Sequence, residues 1–354
     1  MIKTKCFKST WITNKHKEIN ADPILVEKAI YAFELLGDLI ENGVHFIFKG
    51  GTGLMLLIPG FKRLSIDIDI MITESENESL NNAFNGIIKE GIFNRWEEDK
   101  RSLNHKITKR HFKFYYISTV EKRESYILLD IVQSNYSFLN TIKRPIILPL
   151  FEIEKEIKVM VSTINTYFGD KLTAFAPNTI GIPYGKNKSM EIIKQLFDLG
   201  ILFEHITDLK EISQTYKNIS QIEASYRDIK TPINIFLDDS INTSFLICQL
   251  NFRGSIKDKY TKELRDGITR VKSHVLSGKY SHLNAKEDAS KVACIASLIK
   301  DNRFKIDIKG LKLDKKYIGK IKDINLPDEF SILNKLKVVS PESFYLWAIA
   351  TKII

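Results

Sequence analysis

The sequence predicts an α+β protein: a mixed sheet with flanking helices in its N-terminal part, followed by a mainly helical C-terminal domain. Two observations predict it. Strand-like apolar runs occur at Val44 to Phe48, Ser65 to Ile70, His111 to Ile117 and Ser125 to Val132, all in the first half of the chain. From residue 151 on, the apolar spacing turns helical. A composition-based boundary near residue 200 gives domains 1–200 and 201–354.

Taken in order, Asp22-Pro23 followed by Val26, Ile30, Phe33, Leu36 and Ile40 spells an amphipathic helix. Asp22 is its N-cap, Pro23 its first helical position, and Gly43 lies past its end. Val44-His45-Phe46-Ile47-Phe48 reads as a buried strand against that helix. Gly50 and Gly51 then allow a turn with positive φ, and Leu54-Met55-Leu56-Leu57 begins an apolar helix. In the next strand, Ser65-Ile66-Asp67-Ile68-Asp69-Ile70, residues two apart share a face, so Asp67 and Asp69 project together and the isoleucines face the other layer. A polar stretch from Thr73 to Leu80 leads to a helix near 80–90 and a loop carrying Arg95, Trp96, Lys100 and Arg101. The strands 111–117 and 125–132 are joined through Glu121-Lys122-Arg123-Glu124 as a hairpin. Further on, Asp170 to Ala176 opens a short helix, Gly181 to Lys188 forms a loop, and Ser189 caps a helix over Met190 to Leu199. Lys257 to Lys279 is a basic helix and Lys305 to Lys322 a second lysine-rich run.

The chemistry lies in the first glycine turn and the acids that follow it. Two neighbouring carboxylates repel, so in an apolar strand one is protonated or a cation sits between them, and hard ions such as Mg²⁺ take such oxygen ligands. The turn Lys49-Gly50-Gly51-Thr52 supplies the complementary half. Backbone N–H groups at a helix start face an anion, and Thr52 adds a hydroxyl. A triphosphate on this turn would share a metal with Asp67 and Asp69, the layout of a nucleotidyl transferase. Either feature alone is ordinarily structural; their order, strand, Gly-Gly-Thr, helix, Arg63, Asp-x-Asp strand, points to chemistry. Arg63 reads either as a phosphate contact or as a surface residue before the strand. Asp130 is an acid inside an otherwise apolar strand; it either meets a cation or hydrogen-bond donor or lies on the strand's solvent face.

The stretch Phe48 to Thr52 through Arg63 to Asp69 resembles the AbiEii/AbiGii toxin family of nucleotidyltransferases, a branch of the DNA polymerase β-like superfamily. The resemblance is specific over residues 45–72, thinner from 110 to 200 and weak beyond. It implies a polymerase β-like nucleotidyltransferase domain, with Asp130 as the third carboxylate of a metal set made with Asp67 and Asp69. It also implies active-site roles for a lysine and an aspartate on successive helices, matched here by Lys171 and Asp198. Read from the residues alone, Lys171 either reaches phosphate or snorkels to solvent. Asp198 orients that lysine, accepts a proton, or forms an i,i+4 pair with Lys194; its position near Gly200 opposes the helix dipole if the helix ends there. Where the family commonly has a basic-acidic pair, this chain has Lys194-Gln195. The second acid is missing, and Lys194 remains able to touch phosphate.

The resemblance further implies Mg²⁺ (or Mn²⁺), a nucleoside triphosphate, a cognate antitoxin, a place in toxin–antitoxin or phage-defence pairs, and for some members transfer to the 3′ end of tRNA. The 53 Lys and Arg against 43 Asp and Glu, a formal charge of +10, favour a polyanionic partner such as tRNA without identifying it. The basic runs read as solvated helix faces or as a groove for acceptor phosphates. Transfer to a protein hydroxyl and a catalytically inactive RNA- or partner-binding module are the competing readings. Cys6, Cys248 and Cys294 lie far apart, which suggests neither a disulfide framework nor a zinc knuckle. With no h-region at the start and no run of ~18 apolar residues, the expectation is a cytoplasmic protein with no membrane partner.

Overall fold

Asp22 does what its position before Pro23 predicts. Its carboxylate accepts from the backbone N–H groups of Ile24 and Leu25 at 2.7 and 3.4 Å, opening helix α2, Pro23–Glu41, after the shorter α1, Ser9–Ile19. The computed structural model describes residues 1–99, 109–134, 139–276, 278–314 and 318–354. Lys100 and Arg101 of the expected basic loop lie outside the described residues. The chain forms two compact units, one of residues 1–163 with 273–279, the other of residues 164–272 with 280–354.

In the first unit α2 is followed by β1 (Ile47–Lys49), α3 (Gly50–Leu57), β2 (Ile68–Ile72), α4 (Glu74–Lys89) and β3 (Arg95–Glu98). Then come β4 (Lys109–Ile117), β5 (Glu124–Gln133), β6 (Thr141–Pro145) and β7 (Lys158–Ser162). Among the described residues the strands make one seven-stranded sheet in the order β3-β4-β5-β2-β1-β7-β6. β2 runs parallel to β5 and β1 parallel to β7, while the remaining neighbours are antiparallel, so the sheet is mixed as expected.

One face of the sheet is the core. Phe48, Ile68, Ile70, Phe112, Phe114, Tyr116, Ile127, Leu129 and Ile131 are buried on it, the alternate positions that a period of two selects. Tyr31 of α2 stacks on Tyr116 with ring centroids 3.7 Å apart, and Phe84 of α4 meets Phe112 and Phe114 edge-on. The turn between β4 and β5 is tied to α2 by the buried Glu27, which accepts from the Ser118 and Thr119 hydroxyls and the Thr119 N–H.

The strand boundaries shift in ways that matter for the site. β1 is shorter than the run from Val44 suggests, and β2 begins at Ile68, which leaves Asp67 one residue outside it. The expected hairpin forms from β4 and β5, closed by Ser118 N–H donating to Arg123 O at 2.9 Å.

The second unit is helical: α5 (Ile164–Ala174), α6 (Ser189–Phe203), α7 (Leu209–Tyr226), α8 (Ile233–Cys248), α9 (Lys259–Val271), α10 (His282–Lys300), α11 (Leu336–Val339) and α12 (Pro341–Ala350). α10 is buried along Ala285, Ala289, Val292, Ala293, Ile295 and Ala296, where small residues let neighbouring helices approach closely. The boundary expected near residue 200 falls inside α6. Because α6 continues through Gly200 to Phe203, the helix-end dipole argument about Asp198 does not apply. Ser189 is the first residue of α6 rather than its cap, and its hydroxyl donates to Asp266 at 2.7 Å.

Candidate active site

Cross-strand register builds the site. Lys49 pairs with Asp69, Asp69 with Asp130, and Asp130 with His111. Directly opposed residues on neighbouring strands present their side chains to one face. Lys49, Asp69, Asp130 and His111 therefore form a row across β1, β2, β5 and β4, on the face opposite the aromatic core. Asp130 has a hydrogen-bond partner: His111 Nδ1 lies 2.7 Å from Asp130 Oδ1, with the two side chains 16% and 29% exposed.

The glycine turn packs directly on this row. Gly50 has φ of +72°, a conformation side chains other than glycine rarely adopt. A β-carbon there would overlap the Asp69 carboxylate. At Gly51 a β-carbon would overlap the Arg63 guanidinium and come within 2.9 Å of Ser65 Oγ. The two glycines thus let one carboxylate and one guanidinium lie against the start of α3, where backbone N–H groups and the helix dipole favour an anion.

Two expectations about this corner change. Arg63 is only 8% exposed, so it is not a surface residue; its Nη1 donates to Leu64 O at 3.3 Å and its backbone forms a β-bridge with Val275. Thr52 is fully buried, and its hydroxyl donates to Asp67 O at 2.6 Å. A hydroxyl has one proton to give. In this arrangement Thr52 ties α3 to the chain entering β2 instead of presenting its hydroxyl to a phosphate.

The carboxylates fit a divalent cation in part. Asp69 and Asp130 are in register on adjacent parallel strands beside a turn without β-carbons, an oxygen pair that suits Mg²⁺ or Mn²⁺. Asp67 is exposed and lies outside β2. Among the described residues no three His, Cys, Asp or Glu side chains come together as a metal-binding group.

Within the second unit, Lys171 of α5 and Asp198 of α6 form an ion pair, Nζ to Oδ2 2.8 Å, with side chains 6% and 3% exposed. Lys171 also donates to Gln195 Oε1 at 3.0 Å. The lysine does not snorkel; it is a buried cation held by one carboxylate and one amide. Gln195 and Asp198, three apart, share a face of α6, so the residue that stands where the family commonly has an acid contacts Lys171 here. Lys194 is part-exposed on α6.

Sequence reasoning gave His111 and Gln195 no part in this. The contact of His111 with Asp130 depends on the β4–β5 register, and the one local signal was an acid in an apolar strand that required a donor.

The family described as "Nucleotidyl transferase AbiEii toxin, Type IV TA system" matches residues 35–270, more than half of the 354-residue chain. This chain belongs to that family. The AbiEii-family chain is accordingly a nucleotidyltransferase. Membership implies a nucleoside triphosphate as substrate, usually a divalent metal, and an antitoxin as partner. Among solved structures, JHP933 from Helicobacter pylori is similar at 16% identity and a TM-score of 0.42, over 78% of this chain and 93% of that one. An antigenic nucleotidyltransferase-like protein from Paracoccidioides brasiliensis is similar at 12% identity and a TM-score of 0.37, over 57% and 91%. At these values neither adds to the family match. No curated protein matches the chain. Among the described residues of the AbiEii-family chain, no helix is long and apolar enough to cross a membrane.

Proposed function

We propose that this AbiEii-family toxin transfers a nucleotide from a nucleoside triphosphate to an RNA acceptor, the 3′ end of tRNA, in a cytoplasmic toxin–antitoxin or phage-defence setting. The observation that carries the reading is the in-register pair Asp69 and Asp130 beside the Gly50 turn. Asp69 and Asp130 would hold Mg²⁺ or Mn²⁺. When bound, the cation activates the attacking hydroxyl and offsets charge on the departing pyrophosphate.

The chain's own groups do the rest. Backbone N–H groups following Gly50 and Gly51 bind phosphate oxygens at the start of α3. Arg63, buried against Gly51, places a guanidinium beside that cradle. Lys49, opposite Asp69, adds positive charge at the same row. The resemblance implies active-site roles for Lys171 and Asp198 of the second unit, and Lys194 is able to touch phosphate. An RNA acceptor is supported by the +10 charge and by the exposed Lys259, Lys262, Arg265 and Arg270 on α9.

The deciding experiment supplies each of the four labelled triphosphates with Mg²⁺ to the full chain, in the presence of bulk tRNA and of total protein. Label should enter tRNA from one or more triphosphates, and the Asp69→Ala variant and a chelator should both abolish it. Label in the protein pool would turn the reading to nucleotidylation of a hydroxyl side chain. Absence of Mg²⁺-dependent pyrophosphate release would leave a binding module.

A further inference from the structure

The fourth member of the row has no role in the reading above. His111 and Asp130 are 19 residues apart in sequence, directly opposed across β4 and β5, and joined Nδ1 to Oδ1 at 2.7 Å. His111 is held from behind as well: its carbonyl accepts from Asp99 N–H at 2.8 Å, and its neighbours Phe112 and Phe114 are fully buried. The ring therefore stands on a rigid strand.

Asp130 has a second carboxylate opposed to it on its other side, Asp69. Like charges on adjacent strands repel, and an unrestrained carboxylate relieves this by rotating away. A hydrogen bond from His111 opposes that rotation. With Asp130 ionised, the shared proton lies on Nδ1, so the imidazole donates to one carboxylate oxygen and leaves the other available as a ligand.

We propose that His111 is a positioning residue that sets Asp130 for cation binding. The proposal rests on the reading of Asp130 as a cation-holding carboxylate. A hydrogen-bond partner of this kind typically changes metal affinity by about 10–100-fold when removed.

The test is Mn²⁺ binding to the full chain without nucleotide, followed by electron paramagnetic resonance of the free ion. Native protein, His111→Ala, His111→Asn and Asp130→Asn are compared. The Ala variant should bind Mn²⁺ at least about tenfold more weakly. The Asn variant, whose amide nitrogen has the same reach from Cβ as Nδ1, should recover most of that loss, which a merely structural role would not produce. If His111→Ala binds like the native chain while Asp130→Asn does not bind, or if Asn is as impaired as Ala, the positioning role is overturned. If Asp130→Asn binds Mn²⁺ normally, the reading of Asp130 itself falls and the proposal falls with it. A second measurement covers the case in which the Ala variant does not fold: the ¹⁵N resonances of the His111 ring should move on Mg²⁺ addition in the native chain and stay fixed in Asp130→Asn. Ring resonances indifferent to Mg²⁺ in the native chain would overturn it.

Discussion

At the residue scale, two positions concentrate the physical constraints. Gly50 combines positive φ with contact against Asp69. Gly50→Ala carries a backbone cost of about 1–2 kcal/mol and forces the Asp69 carboxylate to move. Thermal melts should show a measurable loss of stability, and transfer activity should fall far more than stability does; an active Gly50→Ala enzyme would show that the turn need not touch Asp69. The Lys171–Asp198 pair is the second. Replacing Lys171 by Met removes the cation paired with a buried carboxylate, a loss of about 3–5 kcal/mol in urea unfolding. Adding Asp198→Leu should restore part of that stability, because no buried carboxylate then remains at that position. Recovery of stability without recovery of transfer would show that the pair does more than pack; recovery of both would confine it to packing.

At the element scale, α2 shows how much charge the core of the first unit holds. It buries Glu27, Glu34 and Asp38. Burial, reinforced by the charges of Glu34 and Glu90, pushes the Asp38 carboxyl up to about 8. The folded protein thus keeps a proton that the unfolded chain releases near its ordinary value of 3.8. Stability contributed by this group is present at low pH and is lost as pH rises through about 8, with a slope of at most about 1.4 kcal/mol per pH unit. Denaturant midpoints measured between about pH 5 and 8 should fall with pH in the native chain and fall less steeply in Asp38→Asn. The same helix shows which parts of the fold are legible from local pattern. Its cap, its first residue and its apolar stripe are all local signals, and so are the alternation in β5 and the hairpin turn. What is not legible is long-range. Whether Asp67 or Ile68 opens β2, and which residue of β4 stands opposite Asp130, are decided by pairing between strands distant in sequence. The candidate site divides in the same way: Gly50, Gly51 and Asp69 are readable from spacing, whereas His111, the commitment of the Thr52 hydroxyl to Asp67 O and the service of Gln195 to Lys171 require the folded chain.

At the scale of the whole molecule, the excess of 53 basic over 43 acidic residues bears on affinity for polyanions rather than on fold. Binding to bulk tRNA should weaken steeply as salt rises, and replacing Lys259, Lys262 and Arg270 together by Gln should shallow that salt dependence by about 2–3 in the log–log slope, as a filter-binding titration would show. An unchanged slope would remove α9 from the acceptor surface. The layout of the chain has a consequence for the order of its manufacture. Arg63 obtains its β-bridge from Val275, with Leu64 N–H donating to His274 O at 3.3 Å and Leu276 N–H to Lys62 O at 2.9 Å. Those partners lie more than 200 positions downstream, across most of the second unit. A ribosome must translate past residue 276 before the segment carrying Arg63 can close, so a nascent or prematurely terminated polypeptide holds the acids and glycines of the site without the backbone bridge at Arg63.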